Sequence, residues 1–232
     1  MAPNVTASRS VASSSARSGT LAERYDRGVG LRRKTPRQKH ADLLGQLDRD
    51  PVALLARGDR TRVPELVPVR YERMLASPFA FLRGAAAVMA EDLRHQATAG
   101  IAVQACGDCH LMNFGAFATP EENILFDIND FDETLPAIDF TVDLKRLAAS
   151  VAVAALAAKF SNKRARATAA ATVEAYRTRM RGLAKLSPLE IWHSRIELWS
   201  EIKNIEDRVL MAYAVRTQKD YDQLAKSKRK AA

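Results

Sequence analysis

The clearest apolar pattern lies in the second half of the chain, where Leu144, Leu147, Ala148, Val151, Ala155 and Ala158 recur at helical spacing and predict a helix from Asp143. Ala165, Ala169, Val173, Tyr176 and Met180 carry the same period into a second helix. A third is predicted at "SPLE": Ser187 can cap, Pro188 suits the first helical position, and Glu190 stands where a capping box places its acid. Leu189, Trp192, Ile196 and Trp199 would form its buried stripe. Upstream, the Ala-rich "AAAVMAEDLRHQA" predicts a helix that ends before Gly100. "GIAVQA" at 100–105 and "NILFDI" at 123–128, each carrying β-branched residues, predict two short strands. "SPFAFLRG", with Phe79 and Phe81 on one side, predicts a brief extended piece. Pro51, Pro64 and Pro68 break the segment before it into short helices. The expected class is α+β, predominantly helical.

Composition sets the outer limits. At 232 residues, 47% of them hydrophobic, the chain can bury one sizeable core. Residues 1–32 are expected to be a disordered Ser- and Arg-rich tail, 33–220 a single domain, and 221–232 a basic tail. The opening residues lack an apolar signal core, and two cysteines are too few for a disulfide framework, so the cytoplasm is the expected compartment. Leu147 to Ala158 is too short an apolar run to span a bilayer, and no membrane association is expected. A net charge of +9 fits a solvated basic face first and an acidic partner second. One expectation that follows is a non-catalytic scaffold whose basic helices, with Arg164, Arg166, Arg177, Arg179 and Arg181, engage nucleic acid or an acidic protein.

The charge is not evenly spread. Between Arg94 and Lys145 there is no Lys or Arg, yet the window holds Asp108, Glu121, Glu122, Asp127, Asp130, Asp132, Glu133, Asp139 and Asp143. Carboxylates crowded at strand ends raise one another's proton affinity unless a cation sits among them, and a hard divalent metal is a natural occupant. An EF-hand is excluded: counted from Asp127, the fifth position is Phe131 and the sixth Asp132, where an oxygen ligand and a glycine are needed.

Within this window "CGDCHLMNFG", Cys106 to Gly115, carries two overlapping patterns. Cys106, Cys109 and His110 have the spacing of covalent haem attachment, but the export that such maturation needs has no signal here. Structural zinc needs four ligands, and only one Cys pair is present. The second pattern, G-D-x-H-x-x-N, says more. Asp108 and Asn113 lie at the offset at which a kinase-type catalytic loop places its base and its metal-binding Asn, and "NDFDE" follows the next strand, where that mechanism needs a carboxylate for magnesium. Asp108 is then the base, Asn113 and Asp130 metal ligands, and Asp132 or Asp127 a second carboxylate, while His110 either braces the loop or joins the chemistry. Arg83 in "FLRG" is placed to approach a phosphate or to pair on the surface.

The segments "LVPVRYERMLASPFAFLRGAAAVMAEDL", "GDCHLMNFGAFATPEENILFDINDFDETLP" and "DLKRLAASVAVAA" resemble the bacterial family known as domain of unknown function 2252, over about Arg33 to Tyr176. That resemblance implies a partial protein-kinase-like fold, with motifs similar to those of aminoglycoside phosphotransferases, and hence Mg²⁺ or Mn²⁺ as cofactor and a hydroxyl compound as acceptor. Two departures qualify it. Where the family tends to have a Gly-Pro-Trp-Glu-Trp-Asp run, this chain has "AIDFTVD" at 137–143. The glycine-rich and lysine-bearing segments of the family's nucleotide lobe are also absent from this sequence, so the chain is expected to be truncated and ATP is expected only with the missing segment.

Overall fold

In a computed structural model, residues 19–42, 50–197 and 200–204 are described. The chain runs through α1 (Leu21–Lys34), α2 (Pro51–Asp59), α3 (Val67–Leu75), α4 (Pro78–Gly84) and α5 (Ala86–Arg94). It continues with β1 (Ala102–Ala105), β2 (Phe114–Ala118), β3 (Ile124–Ile128) and β4 (Leu135–Asp139), then α6 (Thr141–Ala157), α7 (Asn162–Leu183) and α8 (Pro188–Trp192). The α+β, predominantly helical class holds. Among the described residues, no helix is long and apolar enough to cross a membrane.

The strands form two separate antiparallel pairs. β2 and β3 make a regular hairpin from Phe114 opposite Ile128 to Ala118 opposite Ile124. β1 pairs with β4, Ala102 opposite Asp139 and Ala105 opposite Leu135, with a shift of register between Val103 and Ala105. The sequence pattern predicts β1 and β3 and carries no strand signal for β2 or β4. "FGAFA" has too few β-branched residues to signal a strand, and Pro136 argues against one in β4. β4 tolerates its proline because it has only one neighbour, β1.

Local capping explains most helix starts. Asp50 accepts from the N–H groups of Val52 and Ala53, and Pro51 occupies the first turn of α2. "SPFAFLRG" is a helix rather than the expected extended piece: Ser77 Oγ accepts from Ala80 N at 3.0 Å ahead of Pro78, the same cap-then-proline start as at Ser187–Pro188. The capping box of Ser187 and Glu190 forms, with Ser187 N donating to Glu190 Oε2 at 2.7 Å. The stripe expected after it does not: Leu189, Trp192 and Ile196 are exposed, and Trp199 lies outside the described residues. The helix stops at Trp192, and the chain then pairs with β3, Phe126 N donating to Ile196 O at 2.9 Å. The disordered tail expected over 1–32 is likewise corrected for 21–32, which belong to α1, closed at its start by a capping box of Thr20 and Glu23. The basic tail at 221–232 lies outside the described residues.

Leu55, Met74, Ala85 and Val88 form one apolar cluster where α2, α3 and α5 meet, with Tyr71 packed against it. A second set of buried residues, Ala105, Cys106, Cys109, Val151, Ala155 and Ala165, runs from the end of β1 along α6 to α7. The segment holding the chemistry-bearing residues is therefore clamped between a strand end and a helix.

Candidate functional site

The loop after β1 is shaped by one helix. Asp143, in the first turn of α6, accepts from Cys106 N at 2.8 Å and Gly107 N at 3.0 Å. One turn on, Arg146 donates through Nε to Asp108 Oδ1, its Nη2 makes an ion pair with the same oxygen, and Nη2 also reaches Leu82 O at 2.9 Å. A further turn on, Ser150 Oγ accepts from Leu111 N at 2.9 Å and donates to Leu147 O. Asp143, Arg146 and Ser150 are spaced to share one helix face. Arg146 and Ser150 are almost fully buried, at 2% and 0% exposure, so this polar face sits in the interior and satisfies itself against the loop.

Gly107 turns the chain with φ +86°, and a Cβ added there would lie 2.0 Å from Glu133 O. Its bare Cα is what lets the backbones of "CGDCH" and "NDFDE" touch. Cys106 Sγ donates to Asp130 O at 3.4 Å, Thr134 Oγ1 donates to Ala105 O at 2.9 Å, and Asn129 N donates to Asn113 O at 2.8 Å. The Asn129 side chain lies over Gly115, where a Cβ would meet it at 2.1 Å.

Each sequence-predicted residue has a definite place. Asn113 is buried and its Nδ2 donates to Asp108 O at 2.9 Å, leaving the amide oxygen as its ligand atom. Asp108 is 7% exposed, with Oδ1 committed to Arg146 and Oδ2 facing His110 Nε2 at 3.7 Å. His110 Nδ1 accepts from Met112 N at 3.1 Å, the bracing role; burial pushes its pKa below the usual imidazole range, with the Arg146 and Arg83 charges acting the same way against Asp108. Asp130 and Asp132 are exposed at the loop tip, where Asp130 Oδ1 accepts from Asp132 N at 3.1 Å. Asp127 instead lies on β3, its Oδ1 accepting from Ile128 N. Arg83 is exposed at the end of α4, next to Leu82, whose carbonyl accepts from Arg146.

Acidic side chains lie around Glu133. Burial raises the Glu133 carboxyl above its usual range, and the charges of Asp108, Asp130 and Asp132 add to the shift. The same surroundings leave the thiols inert: burial, then the charges of Asp143 and other acids nearby, pushes Cys109 up to about 12, and Cys106 is raised as well. Both are free and buried. Among the described residues no three His, Cys, Asp or Glu side chains close into a metal cage. Asn113, Asp130 and Asp132 are the oxygen-bearing residues that could contribute to a hard cation, and Mg²⁺ needs only one or two carboxylates, completed by phosphates and water.

The family described as "Uncharacterized protein conserved in bacteria (DUF2252)" matches residues 62–231, which takes in the whole of this site. The chain belongs to that family. The DUF2252 match begins later than the resemblance over Arg33 to Tyr176 had placed it, and extends beyond Tyr176 to cover α7 and α8 entire. No curated protein and no solved structure matched the chain. Within DUF2252, the residues that sequence reasoning missed are Arg146 and Ser150, and Asp143, named there only as one acid of the window, proves to hold the loop. Their signal was present as polar residues three and four apart inside an otherwise apolar helix, which the apolar period masked.

Proposed function

We propose that this DUF2252 chain carries the metal- and acceptor-binding part of a kinase-like, Mg²⁺-dependent phosphotransferase. The observation that supports the reading is the junction of the two motifs: the loop bearing Asp108 and Asn113 is joined to the loop bearing Asp130 and Asp132 through Cys106 Sγ on Asp130 O and Asn129 N on Asn113 O, and Glu133 beside that junction feels the charges of Asp108, Asp130 and Asp132. Phosphoryl transfer asks a protein mainly for such positioning. Asn113, Asp130 and Asp132 would hold the cation, which would neutralise phosphate charge. Asp108 would orient the acceptor hydroxyl through Oδ2, the oxygen that Arg146 leaves open. His110 holds the loop, and Arg83 stands within electrostatic reach of His110 at the rim. No glycine-rich phosphate loop occurs in this sequence, so a nucleotide would need its clamp from elsewhere.

The scaffold reading draws less support. Of its five arginines, Arg177 and Arg181 pair with Glu174, Arg179 donates to Ser194, and Arg164 stacks over Phe160 at 4.0 Å.

Calorimetric titration with Mn²⁺ and Mg²⁺ tests the phosphotransfer reading. Weak binding by the parent chain, lost in Asp130→Ala while the fold persists, is the expected result. Unchanged metal affinity in Asp130→Ala would reject it.

A further inference from the structure

A groove of about 900 Å³ opens on the opposite side of α6 from the Asp108 loop, walled by α1, β1, α6 and α7. Leu144, Lys145 and Ala148 line it, and at about 100° per residue these positions face away from Asp143, Arg146 and Ser150. Its volume falls in the ~300–1,000 Å³ range of small-molecule sites.

Two properties define what it would take. Its apolar surface is mainly aliphatic, from Leu31, Ile101, Val103, Leu144 and Val173, with Phe140 and Tyr176 stacked along one wall at a centroid distance of 6.1 Å. Ile101 and Val103 remain 44% and 37% exposed, so this surface is uncovered by the described residues. Its charged lining is all of one sign. Arg32, Arg37, Lys145, Arg177 and Arg181 border it, and no Asp or Glu does among the described residues. Arg177 and Arg181 are engaged with Glu174, but Arg32 and Arg37 make no ion pair among the described residues. Lys145 spends one donor on Ala97 O at 3.0 Å; burial lowers its pKa and the charge of Asp139, behind the groove lining, acts the other way.

An alkyl surface bordered only by cations complements one chemistry. We propose that this groove binds a freely dissolved anionic amphiphile, an alkyl chain with a single carboxylate or phosphate head, the chain lying along Leu31, Ile101 and Leu144 and the head meeting Lys145 and Arg32. The proposal does not depend on the phosphotransfer reading, whose residues lie on the other face of α6.

Calorimetric titration of the full chain with decanoate is expected to give saturable one-to-one binding, with decyltrimethylammonium not binding. Losing a charge-assisted contact should weaken decanoate about tenfold in Lys145→Gln. Arg32→Glu, a change on an exposed helix turn that leaves the core untouched, should weaken it at least as much. Asp130→Ala should leave decanoate affinity as it is, so the two readings succeed or fail separately. Absence of saturable decanoate binding, equal binding of the cationic analogue, or unaltered affinity in both Lys145→Gln and Arg32→Glu overturns the proposal. So does binding to phosphatidylglycerol vesicles without binding to free decanoate, which would make the surface a membrane contact.

Discussion

Asp108 and Arg146 are buried against each other, a carboxylate and a guanidinium at 7% and 2% exposure. The spacing of Asp108 and Asn113 located the loop, and the structure joins the two side by side through the Asn113 amide. Nothing in that spacing reveals that a guanidinium 38 positions away is buried against the carboxylate, because the contact is made by folding and not by sequence proximity. Removing one partner of a buried pair leaves the other charge uncompensated. Arg146→Met is therefore expected to destabilise the protein by about 3–5 kcal/mol in guanidinium unfolding, and adding Asp108→Leu to recover part of that loss. A second variant with no further loss and no recovery would show that the pair is solvated rather than buried. The cysteines test the same pocket from another side. With Cys109 pushed up to about 12, it stays a thiol at pH 8. Ellman's reagent should find neither thiol in the native protein and both after denaturation; rapid labelling of the native protein would contradict the burial.

At the scale of elements, apolar periodicity made α6 and α7 legible, and the Ser187 capping box made the start of α8 legible. It could not show where α8 ends, since Leu189, Trp192 and Ile196 keep the apolar pattern of a buried stripe while lying exposed. The α4 misreading has a plain cause: two phenylalanines suggested a strand, and the Ser77–Pro78 cap outweighed them. α6 does more than pack, because its interior polar face sets the loop. Asp143 accepts two backbone N–H groups at the turn after β1, and charged hydrogen bonds of this kind contribute about 1.5–3 kcal/mol each. Asp143→Ala should lower stability by about 3–6 kcal/mol and, if the site reads as proposed, weaken Mn²⁺ binding without touching a ligand. Gly107→Ala attacks the same junction from the loop side. With φ +86° and Glu133 O in the way, it should cost more than an ordinary loop substitution, and a melting temperature equal to that of the parent would refute the close approach.

Across the whole molecule, the DUF2252 match, which starts at residue 62, takes in the acidic window and its loops and leaves α1 outside. α1 buries none of its residues, yet Leu31 and Arg32 supply part of the wall of the cationic groove. A helix that contributes surface and no core should be dispensable for folding and needed for whatever the groove holds. Deleting residues 1–35 is therefore expected to shift the melting temperature by no more than about 4 °C, the range of a surface change of ~1 kcal/mol in a domain of this size. The same deletion should abolish decanoate binding and spare Mn²⁺ binding, because Asn113, Asp130 and Asp132 draw no support from α1 in any contact described. A large loss of stability would mean that α1 is part of the core. Retained decanoate binding would contradict the seat on Leu31 and Arg32 assigned to the amphiphile.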